Sequence, residues 1–111
     1  MAKIQIILWK YDKSKDGSHP ITLRVTKNGL RKYIGLNLSA KTEQWNVEFS
    51  QYKKDRRINP DHEKSNAFLS SQITKADTII NDFERSNVDW TLNQFELAFL
   101  NHSKKDTVKN H

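Results

Sequence analysis

The dipeptide Asn28-Gly29 constrains the fold more than any other feature of these 111 residues. It supplies the two positive-φ positions that a two-residue type I′ hairpin turn demands, and it is flanked by β-prone segments. Before it, Ile21, Leu23 and Val25 alternate with Thr22, Arg24 and Thr26. Closing the turn with Lys27 facing Leu30 fixes the register, setting Thr26 opposite Arg31, Val25 opposite Lys32, Arg24 opposite Tyr33, Leu23 opposite Ile34 and Thr22 opposite Gly35. A further run, Ile4 to Leu8, has apolar residues at 4, 6 and 8 and supplies a first strand. One face of the resulting three-stranded antiparallel sheet holds Ile4, Ile6, Leu8, Ile21, Leu23, Val25, Ile34 and Leu36. The other holds Gln5, Trp9, Thr22, Arg24, Thr26, Arg31 and Tyr33, with Ile7 as an apolar intruder.

The apolar face needs a cover, and the sequence supplies one after a polar stretch. Ser39 to Trp45 reads as a short capped turn delivering Trp45 to one end of the sheet, and Asn46 to Ile58 as irregular chain or a small extra hairpin. Asn59-Pro60 then places a capping side chain before a proline at the first helical position, with Asp61 and Glu63 near the positive helix end. Leu69, Ile73, Ala76, Ile80 and Phe83 recur at spacings of four and three, predicting a helix from Pro60 to Arg85. At ~1.5 Å per residue it is about 39 Å long, more than the sheet needs, so one end is expected to project.

Ser86 to Asp89 interrupts the pattern. Thr91 and Gln94 form a capping box, and Trp90 with Phe95 a hydrophobic staple, so a second helix begins there. It carries Leu92, Phe95 and Phe99 but soon runs into polar Asn101 to His111, leaving those aromatics little to pack against. The expected organisation is therefore α+β: a three-stranded antiparallel sheet packed on a long helix over residues 1–86, then a linker and the opening helix of a further helical domain over 87–111.

Charge separates along the chain as sharply as structure does. The net charge is +6 overall, made of +8 through Arg57, −4 from Ile58 to Ser103 and +2 in the tail. A basic half that reads as a sheet rather than an amphipathic helix points to nucleic acid before an anionic membrane. No run approaches a membrane span, and Met1 to Ile4 does not open a signal peptide, so a soluble cytoplasmic protein is expected. The absence of cysteine removes thiolate chemistry and zinc-finger sites. The four histidines, at 19, 62, 102 and 111, lack metal-ligand spacing, and no nucleophile–base grouping or glycine-rich phosphate loop is present. No metal, cofactor or catalytic role is expected.

What remains is the polar sheet face. An antiparallel ribbon of two or three strands is narrow enough to enter the major groove of B-DNA, where arginine forks onto guanine and hydroxyls reach phosphates or thymine methyls. Arg24, Arg31, Thr22, Thr26 and Tyr33 lie on that face, Lys27, Asn28 and Lys32 at the hairpin end, and Lys13 and Lys15 in the turn-rich loop Tyr11 to Pro20. The face has no carboxylate. An ordinary solvated face, an RNA-binding module and a protein-interaction domain with an incidentally basic sheet are the competing readings.

The order of elements, with Pro20 ending a Lys/Gly loop, Arg24-Val25-Thr26-Lys27-Asn28-Gly29 turning into a basic third strand, and Trp45-Asn46 following, resembles the arm-type DNA-binding domain of tyrosine recombinases. More narrowly, it is similar to the N-terminal part of phage and conjugative-transposon integrases from bacteria, over about residues 3 to 85, with the segment from Trp90 similar to the first helix of their SAM-like core-binding domain. The resemblance implies a sheet laid in the major groove of double-stranded arm sites. It assigns the contacts to Arg24, Thr26, Arg31 and Tyr33, with Lys27, Asn28 and Lys32 at the hairpin end. The catalytic tyrosine of that family belongs to a C-terminal domain without counterpart here, so this chain is expected to bind and not cut. Integration and excision of a mobile element, other integrase protomers and accessory DNA-bending proteins are the implied setting, with the protein on the nucleoid when bound.

Overall fold

Asn28 and Gly29 both adopt the left-handed backbone the turn requires, at φ 54° and 79°, and the expected pairing follows residue for residue from Lys27 opposite Leu30 to Thr22 opposite Gly35. The computed structural model describes residues 2–10 and 17–109, with side chains to His102. Strands β1 (Lys3–Leu8), β2 (His19–Lys27) and β3 (Leu30–Ala40) form one antiparallel sheet with β2 in the middle. Lys13 and Lys15 lie outside the described residues.

Beyond Gly35 the register shifts. Thr22 pairs with Gly35 but Pro20 with Ser39, and Asn37 within the extra residues takes φ 61°, a conformation asparagine tolerates better than most residues. The bulge extends β3 to Ala40, so the expected turn from Ser39 shrinks to one 3-10 turn at Thr42–Gln44. Two short strands follow, β4 (Trp45–Asn46) and β5 (Gln51–Tyr52). Trp45 is buried edge-on to Tyr52, with ring centroids 5.6 Å apart. The Tyr52 hydroxyl donates to the Ser39 carbonyl at 2.9 Å, and burial raises its pKa.

Helix α1 (His62–Arg85) begins two residues later than Asn59-Pro60 suggests. Asn59 is not its cap. It is buried, and its amide nitrogen donates to the carbonyls of Gln44 (3.0 Å) and Lys53 (2.9 Å), tying the segment before α1 together. The helix buries Leu69, Ala76 and Ile79, with Ile80 and Phe83 packed against the same core. Ile73 lies on the margin, 37% exposed against 7% for Ile79. The expected stripe is thus rotated, because a second helix covers the side that carries Lys75, Ile79 and Phe83. Ile79→Ala should cost roughly 2 to 4 kcal/mol in urea unfolding and Ile73→Ala under about 1 kcal/mol. Equal losses at the two positions would contradict this packing.

At the end of α1, Asn87 at φ 56° reverses the chain. The Val88 amide donates to the Phe83 carbonyl at 3.2 Å and that of Asn87 to Glu84 at 3.1 Å, the paired bonds of a Schellman cap. Helix α2 (Leu92–Lys109) then starts with the expected capping box, in which the Thr91 amide donates to Gln94 Oε1 (2.7 Å) and the Gln94 amide to Thr91 Oγ1 (3.1 Å). The expectation that its aromatics lack a packing surface fails. Trp90, Phe95 and Phe99 are all buried in one core with Leu23, Val25 and Ile34 of the sheet and with α1, Trp90 stacking on Phe83 at 5.5 Å. The length of α1 that the sheet does not need is used to seat α2 and, through Asn66, the backbone of Tyr52, whose N–H and carbonyl both bond the Asn66 amide (2.9 and 3.1 Å).

Candidate nucleic-acid interface

Both helices cover the apolar face of the sheet, so among the described residues the opposite face is left without a layer. Strand register arranges it in cross-strand rows. Lys3, Thr26 and Arg31 form the row next to the hairpin turn; Gln5, Arg24 and Tyr33 the middle row; Ile7, Thr22 and Gly35 the third. Successive rows are ~7 Å apart, two residues along each strand.

The third row is roofed. Trp9 beyond it and Tyr33 before it bring their rings to 4.7 Å, tilted at 58°. Trp9 directly follows β1 and Tyr33 lies in β3, so the rings approach from either side of the central strand, where Thr22 is only 6% exposed. Thr22 is therefore not offered to a ligand. The aromatic pair shields backbone, as an outward Trp beside Ile7 must if that end of the face is to stay dry. The Trp9 amide completes the closure by donating to the Pro20 carbonyl at 2.8 Å.

The first two rows are open and cationic. A hollow lined by Lys3, Ile4, Gln5, Arg24, Thr26 and Arg31 lies there. Among the described residues, neither arginine has a carboxylate partner, while Arg24 Nη2 donates to Gln5 Oε1. Tyr33 borders this region, about one-third exposed. Lys3 and Gln5 are additions to the residues singled out by sequence, and alternation along β1 alone places both on this face.

Lys27 and Lys32 do not belong to this surface. Each shares its strand parity with buried neighbours, Val25 and Ile34, and so points to the helix side. Lys27 Nζ donates to the Trp90 carbonyl, sits 4.4 Å from the centre of the Trp90 ring and lies 3.4 Å from Asp89 Oδ1. Lys32 Nζ lies 3.2 Å from Glu96 Oε1 and 3.1 Å from Asn93 Oδ1. The two lysines hold α2 to the hairpin. Asn28 remains exposed at the turn itself. Ahead of α1, Arg56 and Arg57 are also engaged locally, Arg56 with Glu63 at 2.5 Å and Arg57 with Asp55 at 3.5 Å. The Arg56 hydrogen bond, reinforced by its charge, holds the Glu63 carboxyl below its usual pKa.

The sheet thus sorts its cations by face: Lys27 and Lys32 on the helix side have carboxylate partners, and among the described residues Arg24 and Arg31 on the open side have none. Such an open side, donor-rich and without carboxylates among the described residues, can hold phosphates or the acceptor edges of bases. No helix among the described residues is long and apolar enough to cross a membrane, and none of their His, Asp or Glu residues gather in threes that could hold a metal ion. A family model described as an arm DNA-binding domain matches residues 6–96. No curated protein and no solved structure matches the chain.

Proposed function

This chain belongs to the arm DNA-binding domain family, and from that premise we propose that it recognises specific double-stranded arm sites by laying the open face of its sheet in the major groove. In this reading it is the DNA-binding part of a site-specific tyrosine recombinase that integrates and excises a mobile element, working beside other protomers and DNA-bending proteins. In the same reading residues 87–111 supply the linker and the first helix of a core-binding domain, a helix whose Phe95 and Phe99 pack here into the core of the sheet. The observation that carries the reading is the pair of arginines, Arg24 and Arg31, left without carboxylate partners among the described residues on a sheet whose helix-side lysines are neutralised.

Arg24 and Arg31 are braced by strand pairing with Tyr33 and Thr26, so their guanidiniums are aimed, whereas Lys53 sits on a loop. Arg24→Ala or Arg31→Ala should cost roughly 1 to 3 kcal/mol on the cognate site and erode discrimination against unrelated duplexes. Lys53→Ala should weaken all duplexes slightly and alike. The test is to footprint the chain on the ends of its mobile element, then measure affinity for that site, a scrambled duplex and duplex RNA at one salt concentration, with circular dichroism as fold control. Arginine variants that lose no more on the specific site than Lys53→Ala would show that this face is not the reader, and tighter binding to duplex RNA would reassign the ligand.

A further inference from the structure

We infer that Gln5 is a specificity-determining residue, and that the Gln5–Arg24 pair with Arg31 selects a guanine edge. The inference rests on the proposed groove-facing sheet and goes further by naming the base.

An unattached glutamine reads adenine well, because its oxygen accepts from the adenine N6 amino group while its nitrogen donates to N7. Gln5 is not unattached. Arginine has no acceptor, so the end of the amide that meets Arg24 has to be the oxygen, which accepts from Nη2. A guanidinium therefore occupies the position that an adenine amino group would need, and donor would meet donor. What the pair offers instead is the Gln5 NH2 and the remaining guanidinium N–H groups. Arg31 and Lys3 around the same hollow add donors only, and Thr26 can serve either way. Guanine presents two adjacent acceptors, N7 and O6, to the major groove; adenine and cytosine each present an amino group there, and thymine a single acceptor beside a methyl. Phosphate oxygens would also accept from these groups, but Arg24 lies on the central strand in the middle row of the face, with Gln5 directly beside it on β1. The centre of a ribbon in the major groove meets base edges, and its rim meets phosphates.

The test selects from a pool of random 20-base-pair duplexes with the 111-residue chain, in parallel with Gln5→Ala and Gln5→Asn, the latter keeping the amide but too short to reach Arg24. Gln5 is exposed, so both variants should fold as the parent does. The parent should enrich a motif with a fixed guanine preferred about tenfold or more over adenine, and 7-deazaguanine at that position should cost a similar factor. Both variants should keep bulk duplex affinity within about threefold while the preference falls to about twofold. A parent motif without a fixed guanine, or variants that select the parent's motif unchanged, would overturn this inference and leave the sheet-in-groove reading standing. A parent chain that retains no duplex even at low salt would overturn both.

Discussion

Phe95→Ala should lower the free energy of unfolding by about 3 to 5 kcal/mol, the range for removing a fully buried phenylalanine. Phe95 is completely enclosed, with Phe99 stacked on it at 5.8 Å and Trp90 tilted against it at 6.1 Å. These rings share a core with the sheet and α1, so the cavity would open beneath the hairpin and not in a separate helical unit. A domain of this size commonly has about 5 to 15 kcal/mol in total, and the variant would stand near the edge of folding at room temperature. The measurement is urea unfolding followed by circular dichroism. A single transition shifted to much lower urea is expected. A sheet that unfolds at its original midpoint, with only helical signal lost early, would mean that α2 is dispensable to the core.

Binding to duplex DNA should fall steeply with salt. The open face carries Lys3, Arg24 and Arg31, with Lys10 just beyond β1, and the sequence adds Lys13 and Lys15, which lie outside the described residues; Lys27 and Lys32 are committed to α2. About 4 to 6 neutralised phosphates correspond to a log–log slope of roughly −3.6 to −5.4, or a loss of roughly 150- to 1,800-fold between 50 and 200 mM salt. Titration of one labelled duplex across that range measures it. An affinity that stays flat would refute an electrostatic DNA surface, and a slope well beyond −6 would mean that cations outside this face, such as Lys53 and Lys54, share the contact.

The features legible in the sequence were those fixed by short-range stereochemistry. Asn28-Gly29 admits very few backbone geometries, and the register of β2 and β3 follows from it, as does the capping box at Thr91 and Gln94. What escaped were choices made by tertiary contacts. Asn59 has the chemistry of a helix cap, but buried carbonyls of Gln44 and Lys53 compete for its amide and win. Spacing alone cannot distinguish Ile73 from Ile79 until the position of α2 determines which side of α1 is covered. The polar end of α2 hid the fact that Phe95 and Phe99 belong to the first core. Lys27 and Lys32 are a different case. Alternation already places them on the apolar side of the sheet, and grouping them with Arg24 and Arg31 by charge alone obscured that parity. The positive φ at Asn37 is consistent with its residue type, yet nothing local announces a bulge there.

The placement of the three tryptophans has an optical consequence. Trp45 and Trp90 are enclosed in the core at opposite ends of the sheet, whereas Trp9 lies half-covered beside Tyr33 on the open face. Their emission therefore divides by depth. A docked duplex meets the indole of Trp9 and leaves the two inner ones in the surroundings they already have, while loosening of α2 reaches Trp90 first through its contact with Phe95. Replacing two of the three with phenylalanine turns the unlabelled chain into a spectroscopic gauge of either the surface or the interior. Agreement or divergence between the two signals reports whether the molecule opens as one cooperative body.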